Sequence, residues 1–292
     1  MNYFTSKYPI LCVPMNQVSD VNLACAVHDA GAFPSLSCYN YYKQGKIHLE
    51  TFFNSCKEFS NRTGSTDILL SISWEDFLLD EVQKFLIENN YRYIELFHRP
   101  HDDIWPVVEN TIKILEEKDF RIIFKILKIV KPIEKYSAII LKGSDGAGRT
   151  VNDKGTIEEN FNFIRDNYPN KVIVPSGGIG TSEQVKYYLD RGAASVGIGT
   201  LFAASEESCV TAITKEKMIN LTIDNLSKFG PLTTQGIVFQ LDKNDNNNMS
   251  RSLSKAVNLG NDGAIFAGTG INNINRIMSV KDIIISLTND KY

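Results

Sequence analysis

The sequence predicts an α/β chain folded as a TIM (β/α)8 barrel, with a C-terminal helical and loop excursion after the eighth strand. Three observations carry that expectation. Short apolar or β-branched runs alternate with amphipathic helical segments along most of the chain. Two of these runs, Val172-Ile-Val-Pro-Ser-Gly-Gly-Ile179 and Ser195-Val-Gly-Ile-Gly-Thr-Leu-Phe202, stop abruptly in glycines. Their order, strand, Gly-Gly, helix, strand, Gly-Thr, is one in which the last two strands of a barrel build a phosphate cup from backbone N–H groups. With 292 residues and 43% hydrophobic content, the chain has room for one barrel of roughly 250 residues plus an excursion.

Each element follows from local pattern. Ile10 to Pro14 reads as the first strand. Ser19 then caps a helix that aligns Val21, Ala24, Val27 and Ala30 on one face and ends at Gly31. Ala32 to Leu36 is the second strand, and residues 39–66 are polar and aromatic with one helix from His48 to Phe59. Ile68 to Ile72 is the third strand, followed by a helix with Phe77, Leu78, Val82, Phe85 and Leu86 at helical spacing. Tyr93 to Phe97 is the fourth strand, and Pro106 suits the first turn of the next helix. Arg121 to Leu127 and Ala138 to Leu141 are the fifth and sixth strands, with a connection too short for more than a turn or two of helix. Thr156 with Glu159, and Thr181 with Gln184, form capping boxes for the helices before the seventh and eighth strands. After Leu201 the alternation stops, and the Asn-rich run from Lys243 to Met249 reads as a solvated loop. Ser279 to Thr288 closes the chain as a helix packed on the barrel. The expected organisation is a barrel of residues 1–200 completed by 263–292, with 201–262 as an excursion contributing to the substrate pocket.

Composition narrows the function. A formal charge of −3 and a pI near 5.9, with scattered Lys and Arg, argue against nucleic-acid binding. No apolar stretch approaches the ~20 residues that span a bilayer, and the amino terminus lacks a signal-peptide pattern. Five cysteines without CxxC pairing fit a reduced, cytoplasmic protein with no zinc site. Cys38 follows a strand end, and a small buried thiol is its simplest reading. No His/Asp/Glu grouping has metal-ligand spacing, so no metal is expected.

Four segments fall at predicted C-terminal strand ends, where barrel enzymes keep their sites. They are Val13-Pro14-Met15, the Lys142-Gly-Ser-Asp-Gly-Ala-Gly-Arg149 loop, Gly177-Gly178 and Gly199-Thr200. Together with Pro9-Ile-Leu-Cys-Val-Pro-Met15, the Ala-Gly-Ala of residues 30–32, Gly192-Ala-Ala-Ser-Val196, Gly199-Thr-Leu-Phe-Ala-Ala-Ser-Glu206 and Ala267-Gly-Thr-Gly270, their order resembles the nitronate monooxygenase family, whose relatives include FMN-dependent enoyl-acyl-carrier-protein reductases. The resemblance covers nearly the whole chain, strongly in the last third and weakly from about 38 to 135.

The resemblance implies an FMN across the barrel mouth. Its phosphate would sit on the Gly178 and Gly199-Thr200 amides, with the Thr200 hydroxyl as a further donor, Gly177 beside them in the cofactor site, and Pro14 and Met15 lining the ring. Ser71 falls where the family often has Asn, Lys142 where it often has Gln, and Gly148 in the same loop as Lys142. The family's loop usually ends in a histidine that serves as catalytic base, whereas this chain has Arg149. Arginine stays protonated and cannot accept that proton, but its planar fork can clamp a carboxylate or phosphate. His98, at the end of the fourth strand, is the candidate replacement base; it faces the mouth if Tyr93, Glu95 and Phe97 point the other way. The expected activity is FMN-dependent, nitronate monooxygenase-like oxidation of a small anionic or carrier-bound substrate with O2. The alternatives are NAD(P)H-dependent enoyl reduction, a phosphate-binding barrel without flavin, and a non-catalytic relative. A homodimer is one candidate assembly, and the sequence does not fix the oligomeric state.

Overall fold

A computed structural model describes residues 3–43, 46–97, 105–127, 129, 133–149, 156–219, 221–229, 234–238 and 264–288. In chain order the first half comprises β1 (Ile10–Cys12), α1 (Val21–Asp29), β2 (Ser35–Ser37), a small ladder of β3 (Tyr42–Lys43) and β4 (Lys46–Ile47), α2 (Leu49–Thr63), β5 (Leu69–Ser73), α3 (Trp74–Phe77), α4 (Asp80–Glu88), β6 (Tyr93–Phe97) and α5 (Trp105–Glu116). The second half comprises β7 (Arg121–Ile126), β8 (Ala138–Lys142), β9 (Gly148–Arg149), α6 (Ile157–Asn167), β10 (Val172–Ser176), α7 (Ser182–Asp190), β11 (Val196–Ile198), α8 (Thr200–Ala203), α9 (Ala212–Ile219), β12 (Ser227–Phe229), β13 (Thr234–Val238), β14 (Ala264–Ile265) and α10 (Val280–Thr288). Eight parallel strands run β1-β11-β10-β8-β7-β6-β5-β2, and a parallel bridge between Leu11 and Phe33 joins the two ends into a barrel.

Both faces of these strands are buried. Leu11, Val13, Leu69, Tyr93, Ile123, Ala138, Ile140 and Val174 form an inner cluster, plugged at its N-terminal end by Phe4 and Phe33. The residues between them, such as Ile10, Leu70, Ile94, Phe124, Ile139 and Ile173, pack outward against the helices. That two-sided burial explains why the strand sequences read as continuous apolar runs. Both predicted capping boxes are present, at Thr156/Glu159 and Thr181/Gln184.

Several boundaries differ from expectation for local reasons. Asp20, not Ser19, caps α1 by accepting from the Leu23 N–H, because the Ser19 hydroxyl is engaged by the Met15 N–H at 2.9 Å. The helix expected across Phe77 to Leu86 is split into α3 and α4. Leu79 is extended at the break, where α4 restarts with acidic Asp80 and Glu81 in its first turn. Among its described residues the β7–β8 connection holds a 3-10 turn at Ile133–Lys135, in keeping with its short length, and the Phe124 and Tyr136 rings stack beside it at 4.0 Å. The excursion is more than helix and loop. β12 and β14 flank β13, whose start also pairs with β9, as Thr234 with Arg149 and Gln235 with Gly148. The Asn-rich run lies outside the described residues.

Candidate active site

The ends of β8, β10 and β11 converge with the 267–270 segment into one cup. Gly177 and Gly178 carry φ of 113° and 74°, in the region where only glycine is unstrained. A Cβ on Gly178 would lie 2.5 Å from Thr269 Oγ1 and 2.8 Å from Asp145 Cβ. The fourth wall is tied in by backbone bonds: the Thr269 N–H donates to the Asp145 carbonyl at 2.9 Å, and the Gly268 N–H donates to Thr200 Oγ1 at 3.1 Å. Gly199 caps α8 without a side-chain bond, so the first amides of α8 have no intrahelical acceptor. The cup is built largely from glycine backbone, with the Thr200, Thr269 and Asp145 side chains against it, and backbone N–H groups at such turns are the chemistry a phosphate needs.

Strand one supplies the adjoining wall. A Cβ on Gly199 would stand 3.1 Å from Val13 Cγ2 and 3.6 Å from Met15 Sδ, so Met15 lies directly beside the cup. Pro14 is buried between them. The Met15 carbonyl accepts from the Val18 and Ser19 N–H groups at 3.2 and 2.9 Å. Lys142 lies on the inward-facing side of β8, in register with Ser176, and its ammonium donates to the Ala147 carbonyl of its own loop.

The sequence profile of the nitronate monooxygenase family matches residues 128–290, more than half of the chain. The chain belongs to this family. It is accordingly an enzyme, a flavin-dependent oxidoreductase. Among solved structures it is similar to FabK from Thermotoga maritima (TM-score 0.80, 20% identity, 97% of this chain and 92% of that one). It is also similar to a nitroalkane oxidase from Streptomyces ansochromogenes (0.72, 16%, 98% and 96%). A third similar structure is the enoyl reductase domain of MlnA from Bacillus amyloliquefaciens (0.71, 11%, 98% and 94%). At these identities the structural likeness speaks for the barrel fold. No protein of curated function matches the sequence.

The structure gathers most of the expected residues of a nitronate monooxygenase-family site at one barrel mouth. Gly177, Gly178, Gly199 and Thr200 form the cup, Pro14 and Met15 its flank, and Lys142 and Gly148 the opposite rim. The glycine cradle fits a flavin phosphate. Arg149 is placed by backbone pairing in β9, on the cap sheet beside the mouth. His98 lies outside the described residues, and the alternation that would have turned it inward runs the other way. Tyr93 belongs to the inner cluster, while Ile94 and Leu96 face the helices.

Sequence reasoning missed a polar layer inside the barrel. Glu95 has no exposed surface. It accepts from the Ser71 hydroxyl at 2.8 Å and pairs with Lys125 at 3.2 Å. Lys125 is 20% exposed, and because Phe4, Phe33 and Tyr93 plug the lower end, that exposure opens toward the mouth. Ser71 is thus committed to Glu95 rather than standing free. The signal was present as one acidic residue within the apolar run of β6 and one lysine within β7, but nothing local paired them. Among the described residues no group of His, Cys, Asp or Glu could hold a metal ion, and no helix is long and apolar enough to cross a membrane. Cys38 is buried, and burial pushes its thiol up to about 12, so it is an inert core residue.

Proposed function

We propose that the flavin is FMN and that the enzyme oxidises a small anionic or carrier-bound substrate with O2, in a nitronate monooxygenase-like reaction. The observation that carries this reading is the glycine-rich cup at the ends of β10 and β11, where left-handed Gly177 and Gly178 leave room for no Cβ and Gly268 is hydrogen-bonded to Thr200. A single terminal phosphate suits such a cup, which supports a mononucleotide. The bound flavin supplies the two-electron chemistry.

The chain's own residues position and screen it. Pro14 and Met15 would line the flavin ring, and Met15, packed beside Gly199, would screen that edge from water. Ser71 and Glu95 hold Lys125 on the inner face of the barrel, and Lys142 keeps the Gly148 loop in place through Ala147. Arg149 takes the substrate anion by a forked hydrogen-bond pair. Arg149 is not the proton acceptor, since a guanidinium stays protonated.

The test is a visible absorption spectrum of the purified protein, with identification of whatever heat releases. A two-banded yellow spectrum with FMN in the supernatant is expected, and Gly178→Ala, whose methyl group collides with Thr269 and Asp145, is expected to purify colourless. A wild-type protein that is colourless and takes up no added FMN would sink the reading and put a sugar-phosphate isomerase or lyase first. NAD(P)H-dependent enoyl reduction is the second reading, favoured by Arg149 in place of the histidine. Rapid NAD(P)H oxidation by the pure enzyme without other substrate would move it to first.

A further inference from the structure

Three non-glycine residues among those described adopt positive φ: Gln17, Asn90 and Asp119. Asn and Asp visit this region several-fold more readily than other residues through their short side chains, whereas for glutamine it is uncommon and costly. Gln17, at φ 63°, lies two residues beyond Met15 in the turn that follows β1. A strained residue persists only where its surroundings over-determine it, and such residues cluster at functional sites.

The surroundings here centre on Asn40, in the 3-10 turn after β2 (Cys38–Tyr41). Its Oδ1 accepts from the Gln17 N–H, and its Nδ2 donates to the Ser19 carbonyl at 2.8 Å. One carboxamide thus spans the turn from its strained residue to its end. From the far side the Cys209 thiol donates to the Gln17 carbonyl at 3.1 Å. Inside the clamp, Ser19 Oγ accepts from the Met15 N–H at 2.9 Å. The chain of bonds therefore runs Asn40, Ser19, Met15, and ends at the residue packed beside Gly199 in the cup.

We propose that Asn40 is a positioning residue of the flavin site. It holds the 15–19 turn, with Gln17 in its left-handed conformation, so that Met15 stays against Gly199. The inference rests on the flavin reading given above. Its internal logic yields a specific coupling: the clamp is needed because residue 17 is strained, so glycine at that position makes the clamp dispensable.

The experiment measures the FMN dissociation constant and the melting temperature of the apo-protein for wild type, Asn40→Ala, Asn40→Asp, Gln17→Gly and the double variant Q17G/N40A. Asn40→Ala is expected to weaken FMN binding at least tenfold. Asn40→Asp, which keeps the acceptor for Gln17 but loses the donor to Ser19, weakens it at least threefold and covers the case in which the alanine variant does not fold. Gln17→Gly raises the melting temperature, and in its background Asn40→Ala changes FMN affinity less than threefold. The proposal is overturned if Asn40→Ala lowers the melting temperature yet binds FMN within twofold of wild type, since the clamp is then structural only. It is also overturned if the double variant binds as weakly as Asn40→Ala. A wild-type protein that takes up no FMN instead removes the flavin reading itself, so the two failures are distinguishable.

Discussion

Replacing Lys125 by methionine removes the cation paired with Glu95 inside the barrel while keeping most of the side chain's volume. Glu95 has no exposed surface, and what remains to it is the Ser71 hydroxyl at 2.8 Å. Breaking a buried ion pair by deleting one partner costs about 3–5 kcal/mol, because the other charge is left uncompensated. The retained charge-assisted hydrogen bond offsets part of this, and Lys125 is itself 20% exposed, so the lower end, about 3 kcal/mol, is the expected loss. At roughly 2 °C per kcal/mol for a large domain, the apo-protein should melt about 6 °C lower. Thermal unfolding followed by circular dichroism measures the shift. The double variant K125M/E95Q removes the orphaned charge and should recover at least half of it. A Lys125→Met protein that melts within 2 °C of wild type, or a double variant no more stable than the single, would refute the view that this pair is electrostatically coupled in a water-poor interior.

Two further outcomes follow from other parts of the structure. Burial raises all five cysteine thiols: Cys12 and Cys38 to about 12, Cys209 to about 11, and Cys25 and Cys56 upward as well. Only Cys209 is exposed, so a thiol reagent should modify a single cysteine slowly near pH 8, about tenfold faster per pH unit until the rate levels near 11, as the thiolate fraction dictates; a fast-reacting thiol at pH 7 would contradict this. Glu207 accepts from the Val280 N–H through both carboxylate oxygens, at 3.1 and 2.9 Å, and so caps α10 across the chain; Glu207→Ala should cost about 1 kcal/mol in urea unfolding, and an unchanged midpoint would show that the Ser279–Asp282 contact suffices.

The fold and the cup were legible in the sequence because both are written locally. Thr181 and Gln184 announce a helix start within four residues, and Gly177-Gly178 announces a backbone that must turn left-handed. What escaped depends on distance along the chain or on lost phase. Glu95 meets Ser71 and Lys125 across neighbouring strands, 24 and 30 residues away. In β6 both faces are buried, so Tyr93-Ile-Glu-Leu-Phe97 lacks the polar alternation that would have told inward from outward and settled the direction of residues after it. The cap strands were missed because β9 is two residues long and its partner β13 begins 85 residues beyond it, too far for a hairpin signal. Ser19 looked like a helix cap because nothing local disclosed its engagement by Met15.

The cup also dictates an order of events during synthesis. Its walls come from Asp145, Gly178, Thr200 and the 268–269 amides, segments separated by up to more than a hundred positions, and closing such loops is slow relative to local structure. The strands through β11 can pair before the last wall has left the ribosome. A nascent chain that stops short of residue 268 would lack both the last wall of the cup and the buried Ile271, Val280, Ile284 and Leu287 that complete the core, so affinity for a phosphate ligand would arrive only when that final stretch docks. Ligand capture is then a late checkpoint on completeness: a truncated chain is told from a finished one by whether it can retain its cofactor.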